Sequence, residues 1–595
     1  MDRKGIIAVV LSLIVLVFWW RYNDQEMRLL AEARQKAQAE AAEVQAAQAA
    51  NEPASVQPST ATPTPTPTTG TADVPSQPAV PEKVEELPTA SVDYTFTNLG
   101  GGISRALLKN HEAERGKRMV LNEFGGIPIG AISEAAGEGV NAPFTAQVNA
   151  DSGEVTFERT DARQLQLTKR FSTPKSTDLD KDYIVQMEAT FTNRGAESVT
   201  LPGYYVHTGG ATQVHQSDIA HYTGFKWAGG KLIDATSFDG SWWPGSKPRP
   251  IFAESHPEIA WAGVANQYFT TVLTPRVEGP NVANLDGKRG VAVWAKRFEV
   301  SDAAWKEAGR TSPNAELKHH GVNGALGMPA FTLEPGKSLT QRFQIYTGPR
   351  EYGRLRLMAN GEADIMDLGT FGIVSKTLLN TMNWLHGKVG TYAAAIILLT
   401  LIIKTLLWPL QNKATNSMKR MQLLQPKMTE LRDKYKDDPT RMNTEVMKLY
   451  KDYGVNPLSG CLPMLVQIPI FFGFYNMLGI AVELRNSSFL WVHDLSQPDT
   501  IWHFPIVGWP LNVLPLLMAA TMLWQMALSP KSGDPMQQKI FMFMPLIFIA
   551  FCYNFASALA LYWTVQNLFS VVQLYATRNQ TPPTLQKVAA PSKRK

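Results

Sequence analysis

One basic residue, Lys404, interrupts an apolar stretch that runs from Val389 to Leu410. If this stretch is a helix that ends at Leu410, Lys404 lies roughly 9 Å inside that end. A cation within hydrocarbon costs at least about 2.5 kcal/mol, so its amino group needs water or a partner. Two interpretations remain open: the side chain extends along its methylene groups to the membrane surface, or it faces a water-filled hollow inside the protein. In a hollow the charge would attract carboxylates, but it supplies neither a nucleophile nor a metal site.

Uncharged polar side chains that could share such a hollow lie in the same and in later apolar segments. Thr400 lies one turn before Lys404, and Gln467 lies in the next apolar segment. The last segment carries Tyr562, Gln566 and Asn567. No acidic residue lies inside these segments, so the sequence shows no internal counter-ion for Lys404. This combination favours the hollow.

The N-terminal half offers weaker candidates for chemistry. Three histidines are spaced eight and six residues apart, which matches no metal-binding motif, and three tryptophans could stack on a sugar. These residues are His207, His215, His221, Trp227, Trp242 and Trp243. No glycine-rich phosphate loop or nucleophile elbow accompanies them. We therefore expect the tryptophans to fill or cap a β core, and we predict no catalytic residue, metal or cofactor.

The composition narrows the class of protein. Of the 595 residues, 44% are hydrophobic and 18% are charged, and the net charge is +5. So small a basic excess argues against a DNA-binding protein. Two cysteines are too few for a disulfide scaffold or a cysteine-rich zinc module.

The chain begins with an apolar block, residues 5–20, which follows two basic residues and ends in bulky aromatic side chains. A cleaved signal peptide needs small residues at that point, so we predict an uncleaved anchor with its N-terminus in the cytoplasm. Residues 53–88 are rich in proline and threonine, which is typical of an extended, disordered spacer.

The sequence pattern changes from about Val92 to Arg350. Short runs of alternating apolar and polar residues recur between Gly, Pro, Asn and Asp, as in 94–99, 183–193, 291–300 and 338–348. This pattern predicts a large all-β domain, a sandwich, and the preceding anchor places it outside the cytoplasm.

An apolar stripe at helical spacing comes next. Its members are Phe371, Val374, Leu378, Met382 and Leu385. Because a membrane span follows, the stripe predicts either a helix in the outer membrane interface or a helix packed on the β domain.

Four blocks of apolar sequence complete the membrane part. They are 389–410, 462–482, 505–528 and 540–577. The last would make a helix of roughly 57 Å, against a hydrocarbon core of about 30 Å, so it is predicted to form two spans with a turn near Asn554–Ser557. With the anchor, this gives six spans, and the basic loops and tail place both termini in the cytoplasm.

The loop 411–456 between two of these spans carries its own helical pattern. A methionine-rich stripe occupies its first half, Pro426 should kink it, and Asp438 with Pro439 is a helix start. The loop is therefore predicted to be a cytoplasmic helical hairpin, which either only links two spans or docks partners on its adaptable methionine face.

Several long motifs in this half resemble the YidC/Oxa/Alb family of membrane protein insertases. They are NPLSGCLPMLVQIPIFFGFYNML (456–478), VELRNSSFLWVHDLS (482–496), SGDPMQQKIFMFMP (532–545) and LYWTVQNLFSVVQ (561–573). With one anchor and a large exported β domain, the chain is similar to the Gram-negative bacterial YidC form of that family.

The resemblance implies a five-helix core around a hydrophilic groove that opens to the cytoplasm and to lipid. The groove cation of the family falls on Lys404, where the family usually has arginine, so the charge is kept and the bidentate fork is lost. The other groove positions that the resemblance assigns are Thr400, Gln467, Tyr562 and Asn567. The hydrophobic slide that contacts an incoming helix falls on Ile468, Phe471 and Phe551. The exported domain resembles a β-supersandwich with no catalytic role.

The resemblance also implies a function: insertion and chaperoning of nascent membrane proteins into the bacterial inner membrane, alone or with the Sec translocon, without enzyme catalysis or cofactor. Expected partners are nascent membrane proteins, the lipid bilayer, the Sec translocon, and ribosomes and targeting factors that bind the hairpin and the basic tail. From the residues alone, a transporter and a membrane-anchored sugar-active enzyme are the alternatives, but inverted repeats and intramembrane acids are not seen.

These inferences divide the chain into six regions. They are an N-terminal anchor (1–23), a disordered linker (24–92), the periplasmic β domain (93–350), a linker with the interfacial helix (351–388), the insertase core with its hairpin (389–577, hairpin 411–456) and a basic cytoplasmic tail (578–595).

Overall fold

A computed structural model gives the conformation of most of the chain after residue 80. It describes residues 81–114, 116–149, 153–174, 181–215, 218, 220–239, 249–276, 288–310, 319–455, 462–504, 510–529, 549–550 and 552–578. The predicted anchor, most of the proline-rich linker and the basic tail lie outside these residues, as do Phe551, Trp242 and Trp243.

The N-terminal part of the described chain is built from β-strands. In chain order they are β1 Val84–Pro88, β2 Val92–Thr97, β3 Gly102–Glu114, β4 Lys117–Leu121, β5 Ile132–Ser133, β6 Thr145–Asn149, β7 Glu154–Thr160, β8 Leu165–Ser172, β9 Ile184–Asn193, β10 Val199–Leu201, β11 Tyr204–Thr212, β12 Gly224–Trp227, β13 Ile233–Asp234, β14 Ile251–Ile259, β15 Ala262–Ala265, β16 Phe269–Pro275, β17 Gly290–Val300, β18 His319–Met328, β19 Phe331–Leu333 and β20 Ser338–Pro349. The four strands expected from alternating sequence are confirmed as β2, β9, β17 and β20.

These strands form two large antiparallel sheets and two smaller ones. The nine-stranded sheet has the order β13-β12-β15-β16-β20-β9-β8-β7-β6, and the five-stranded sheet has the order β14-β17-β18-β11-β5. The smaller sheets are β1-β2-β3-β4 and β10-β19. The two large sheets pack face to face where the ring of Phe225 fills the space above Gly324, so the predicted sandwich is present. Residues 84–88, which we assigned to a disordered linker, instead form edge strand β1, because backbone pairing with β2 orders a segment whose sequence shows no strand pattern.

Helices dominate after residue 350. One earlier helix, α1 Asp302–Glu307, lies within the β part. The later helices are α2 Tyr352–Leu355, α3 Gly372–Val389, α4 Tyr392–Leu423, α5 Gln425–Lys434, α6 Pro439–Asp452, α7 Leu462–Ile480, α8 Val513–Leu528 and α9 Ser557–Arg578. A short hairpin of β21 Thr500–His503 and β22 Pro510–Asn512 precedes α8.

Among the described residues, one helix is long and apolar enough to cross a membrane by itself, namely α4. The apolar parts of α7 and α8, Leu465–Ile480 and Val513–Leu528, are shorter. The helical C-terminal part is thus clear, whereas the expected number of six spans is not established by these helices.

Two boundaries differ from the sequence prediction. The span expected to begin at residue 505 begins as a helix only at Val513, because residues 510–512 pair with 500–503 as strands. Helix α4 does not stop at Leu410 but continues to Leu423, so the membrane stretch and the beginning of the hairpin's first arm are one helix. In contrast, the turn expected near Asn554–Ser557 is confirmed at residues 553–556.

The hairpin 411–456 folds as its sequence predicts. The helical conformation is interrupted at Leu424, between α4 and α5, and Pro426 lies in the first turn of α5. Asp438 Oδ1 accepts a hydrogen bond of 2.9 Å from the backbone N–H of Arg441 and so caps α6. A small core of Leu424, Met428, Tyr450 and Val455 holds the two arms together.

Helix α3 carries the apolar stripe that we predicted to face the membrane interface or the β domain. In the structure Leu378 and Met382 are buried, and Val374 and Leu378 lie against Gly473 of α7, where an added Cβ would meet them at 2.7 and 3.2 Å. The stripe therefore packs on α4 and α7, which helical spacing alone could not identify, because spacing defines a face but not its partner.

The β part contacts the chain at the end of α7 through a polar joint. Arg485, just after α7, donates hydrogen bonds of 2.6 and 2.9 Å to the carbonyls of Glu112 and Ala113 in β3. Its guanidinium also lies 4.7 Å from the ring centroid of Tyr268. Gln267 donates a 2.6 Å hydrogen bond to the carbonyl of Gly479 at the end of α7. The strands are thereby fixed to the ends of the helices.

Candidate functional site

Lys404 lies on the part of α4 that is rich in Leu and Ile, and its side chain points into the protein. Only 5% of it is exposed. Its Nζ donates a 3.0 Å hydrogen bond to Oγ of Ser570 on α9. The Ser570 hydroxyl in turn donates a 3.0 Å bond to the carbonyl of Gln566, one turn earlier. The amino group is therefore held between two helices and does not extend to the surface along α4.

No carboxylate of the described residues forms an ion pair with Lys404. Its one hydrogen-bond partner there is a neutral hydroxyl, which leaves the positive charge without compensation by an acidic side chain. Such a charge, held in place within a largely apolar bundle, attracts anionic groups that come within reach.

The other predicted groove residues are distributed over several contacts. Thr400 is buried one turn before Lys404, but its hydroxyl donates to the carbonyl of Ile396 in its own helix. The ring of Tyr562 stacks on Phe474 of α7 with the centroids 4.1 Å apart. Gln467 on α7 is half-buried, and within the described chain no hydrogen bond joins its side chain to another residue.

Asn567 turns away from Lys404. Its amide donates 3.2 Å hydrogen bonds to the carbonyl of Met518 and to Oγ1 of Thr521, both on α8. It therefore fastens α9 to α8, whereas the neighbouring face of α9 receives Lys404. The structure thus pairs Lys404 with Ser570, one helical turn after Thr400, whereas Asn567 bonds α8.

Sequence reasoning overlooked Ser570 and two further contacts between α4 and α9. Gln573 Nε2 donates a 3.0 Å bond to Oδ1 of Asn412, and Lys419 Nζ donates a 2.8 Å bond to the carbonyl of Thr577. A signal for this face was present: the polar residues 562, 566, 570, 573 and 577 are spaced 4, 4, 3 and 4 apart on α9. Lys404 therefore belongs to a seam of polar contacts that runs along α4 into the hairpin.

The residues expected to form a hydrophobic slide lie on α7. Ile468 is 39% exposed, and the half-buried ring of Phe471 packs edge-on against Trp563 of α9 at 4.9 Å. Phe551, the third expected member, lies outside the described residues. The two described residues leave apolar surface available near the junction of α7 and α9.

The histidines of the β domain do not form a metal site. His207 is buried against Ser133 Oγ at 2.9 Å, His215 pairs with Asp218, and His221 pairs with Asp234. Burial lowers the pKa of His207 to about 3, so it stays neutral in the core. Throughout the described parts of the chain, no group of His, Cys, Asp and Glu is arranged to hold a metal. Trp227 is buried against Phe225 and Phe252, as expected of a core residue.

Comparison with known sequence families divides the chain into two matched regions. Residues 86–381 match the family described as YidC periplasmic domain, and residues 384–584 match the family described as 60Kd inner membrane protein.

Similar full-length proteins are named membrane protein insertase YidC. One from Pelobacter propionicus is 30% identical over 592 residues, which cover 96% of this chain and 98% of that protein. One from Geobacter metallireducens is 31% identical over 590 residues, with coverage of 96% and 97%. A crystal structure of an active YidC insertase with its first transmembrane domain resolved has a TM-score of 0.33 and 17% identity, covering 84% of this chain and 93% of that one.

Proposed function

Because this chain belongs to the YidC family of membrane protein insertases, and so inserts proteins into the membrane and carries a periplasmic β-rich domain, we propose that its charged insertion site is centred on Lys404. The single observation that carries this proposal is the buried ammonium group of Lys404, held by Ser570 and facing no carboxylate of the described chain.

In the proposed mechanism, the polar flank of a nascent span enters from the cytoplasm between α4 and α9. The charge of Lys404 attracts acidic residues of that flank and holds them transiently, which lowers the cost of bringing them into the bundle. Thr400, Gln467, Tyr562 and Asn567 are proposed to complete the polar path. Asn567 contributes indirectly, because it fixes the position of α9 against α8.

The apolar part of the incoming span is proposed to leave along Ile468 and Phe471, with Phe551 as a third contact. Ile468 is exposed and Phe471 is only half-buried, so both offer apolar surface on α7. Transfer of the span from water to lipid releases free energy through the hydrophobic effect, at about 25 cal/mol per Å². The step therefore needs no nucleotide and no enzyme chemistry from this chain.

We further propose six spans around a five-helix core, with both termini in the cytoplasm of the bacterial inner membrane. The polar joint between β3 and Arg485 supports the same topology, because it puts the segment after α7 on the side of the periplasmic domain. The hairpin 411–456 then lies in the cytoplasm. Together with the basic tail it is proposed to receive ribosomes and targeting factors, and the chain is proposed to act alone or with the Sec translocon.

Crosslinking of a stalled nascent chain tests the proposed route. With a photoreactive amino acid at Phe471, a ribosome-held membrane span should crosslink to the protein, because this side chain lies on the proposed exit. The same photoreactive group at Trp384 on α3, whose side chain is 62% exposed, is the control and should give little product. Equal crosslinking at both positions would contradict a defined exit along α7.

Removal of the Ser570 hydroxyl tests how Lys404 is held. In Ser570→Ala the ammonium loses its hydrogen-bond partner. We expect insertion of a substrate with an acidic exported tail to fall about tenfold, since a hydrogen bond to a charged group contributes about 1.5 kcal/mol. Insertion is measured by protease protection in reconstituted vesicles.

The matched control for Ser570 is Thr405→Ala. This substitution removes an exposed hydroxyl next to Lys404 that bonds only within its own helix, and insertion should not change. A substrate with a neutral tail should insert equally well in the Ser570 variant and the unchanged protein. An equal loss for both substrates would indicate a general packing defect in place of a positioning role.

A further inference from the structure

The segment between α7 and α8 presents large apolar side chains to its surroundings. They are Leu490, Trp491, Ile501, Trp502 and Phe504, here called the interfacial patch. Leu490 is 75% exposed and Trp502 is 51% exposed. The rings of Trp502 and Phe504 contact each other with centroids 4.9 Å apart. Apolar side chains clustered in this way mark a contact with something other than water.

The backbone at the tip of this patch is unusual for its sequence. Phe489 and Val492 exchange two backbone hydrogen bonds of 2.8 Å, so that Leu490 and Trp491 form the turn between them. Leu490 has a φ of 52°, in the left-handed region that Gly and Asn adopt readily and bulky residues rarely adopt. A leucine in this position adds backbone strain to the cost of exposure, so a neighbour that accepts the side chain must offset both.

Hydrogen bonds fix the position of the patch relative to the start of α8. The indole N–H of Trp491 donates a 3.0 Å bond to Oδ2 of Asp499. The same oxygen accepts a 2.6 Å bond from the backbone N–H of Leu514, in the first turn of α8. Trp491 is therefore tied to the level at which α8 begins.

Helix α8 itself presents an apolar face to its surroundings. Its exposed residues include Leu516, Leu517, Leu523 and Trp524. A face of this composition on a helix of a membrane protein contacts lipid tails. The start of α8, and with it the interfacial patch, then lies at the boundary between the tails and the headgroups, where tryptophan is enriched.

The charges of the segment suit the same location. Between residues 486 and 504 the acidic residues are Asp494 and Asp499, and both accept hydrogen bonds within the segment. The exposed ionisable side chains there are His493 and His503. On its other side the segment contacts the periplasmic domain, through the 3.3 Å bond from the hydroxyl of Tyr268 to the carbonyl of Ser496. A surface without exposed carboxylates can approach phosphate headgroups without repulsion.

From these observations we propose that the interfacial patch is a membrane-contact element that inserts into the outer headgroup region of the bilayer, beneath the periplasmic domain. The occupant is lipid, since the patch continues the lipid-facing surface of α8. It would hold the joint between the β domain and the helices at a fixed depth. This contact is separate from the proposed insertion site at Lys404.

Fluorescence quenching in vesicles tests the proposal. Cys461 and Cys552 are first replaced by serine in the full chain. A bimane label is then attached to a single cysteine introduced by Leu490→Cys or by Trp502→Cys. The protein is reconstituted into vesicles of phosphatidylethanolamine and phosphatidylglycerol. Lipids that carry a nitroxide on the headgroup should quench both labels strongly, and aqueous iodide should quench them weakly. The control label at Lys337, an exposed residue of the β domain, should show the reverse.

Two results would overturn the proposal. Quenching by iodide as strong as at residue 337 would place the patch in water. Protection from both quenchers would place it against protein, for example a second copy of this chain or a translocon subunit. Neither result would affect the role proposed for Lys404, which is read separately by insertion assays.

A variant at the tip separates lipid contact from folding. Leu490→Asn keeps the turn, because asparagine adopts a positive φ more easily than leucine. It should therefore unfold in detergent at the same temperature or a higher one, while lipid quenching of the label at residue 502 is reduced. Unchanged lipid quenching in this variant would show that Leu490 has no part in the contact.

Discussion

Lys404→Glu is expected to lower the insertion of a substrate with an acidic exported tail by at least about tenfold, which corresponds to about 1.4 kcal/mol. The substitution replaces a buried cation by an anion at a place where no described carboxylate compensates the charge. The Ser570 hydroxyl can rotate and donate to the new carboxylate, so the contact between α4 and α9 need not be lost. The main change is therefore that an acidic flank is repelled where it was attracted. Protease protection of the substrate in reconstituted vesicles measures the effect.

Three controls distinguish an effect of the charge at residue 404 from a general effect of the substitution. Lys404→Arg keeps the charge and adds a bidentate guanidinium, so insertion should be at least as efficient as in the unchanged protein. Lys413→Glu makes the same charge change at an exposed position of the same helix and should have little effect. A substrate with a neutral tail should depend less on residue 404. Undiminished insertion of the acidic substrate by Lys404→Glu would exclude the proposed role of the charge.

The burial of Lys404 could be anticipated from sequence, but its partner could not. The position of the lysine within an apolar stretch and the absence of nearby acids are properties of the sequence alone. Which helix meets Lys404 depends on how α9 packs on α4, a tertiary arrangement that no local pattern encodes. The same limit explains Asn567: it lies three residues before Ser570, so the two side chains point only about 60° apart, yet Asn567 bonds α8 and Ser570 bonds α4.

The strands were predictable where one face of the strand is buried. In β9 the burial alternates almost residue by residue, and this period of two is what the sequence pattern records. Strand β1 has no such pattern, and β21 and β22 are defined by their pairing with each other in a hairpin, which an apolar block does not reveal. For that reason the third apolar block was predicted to be helical from residue 505, although its helix begins only at Val513.

Replacement of Arg350 is expected to cause the largest loss of stability. This arginine follows β20 and is fully buried. It donates a 2.7 Å hydrogen bond to the carbonyl of Asn266, in the turn between β15 and β16. It also donates hydrogen bonds of 2.8 and 2.5 Å to the carbonyls of Ile365 and Met366, which precede α3. Burial lowers the pKa of Arg350 to about 10, so it remains charged at neutral pH and its donors stay available.

Arg350→Met would leave these three buried carbonyls without their donor. At about 1 kcal/mol or more for each unsatisfied group, the free energy of unfolding should fall by at least about 3 kcal/mol. The segment 362–366 would also separate from the β domain and become accessible to protease. Urea unfolding of the full chain in detergent, followed together with limited proteolysis, measures both effects.

Arg342→Met is the matched control, because Arg342 lies on β20, the strand that Arg350 follows, but is exposed and pairs with Glu188 at 3.0 Å. A surface ion pair contributes about 0–1 kcal/mol, so this variant should unfold nearly as the unchanged protein does. Arg350→Lys should fall between the two, since one ammonium group can satisfy some but not all of the carbonyls. If Arg350→Met and Arg342→Met were equally stable, the buried guanidinium could not be what fastens the β domain to the segment that leads into the membrane helices.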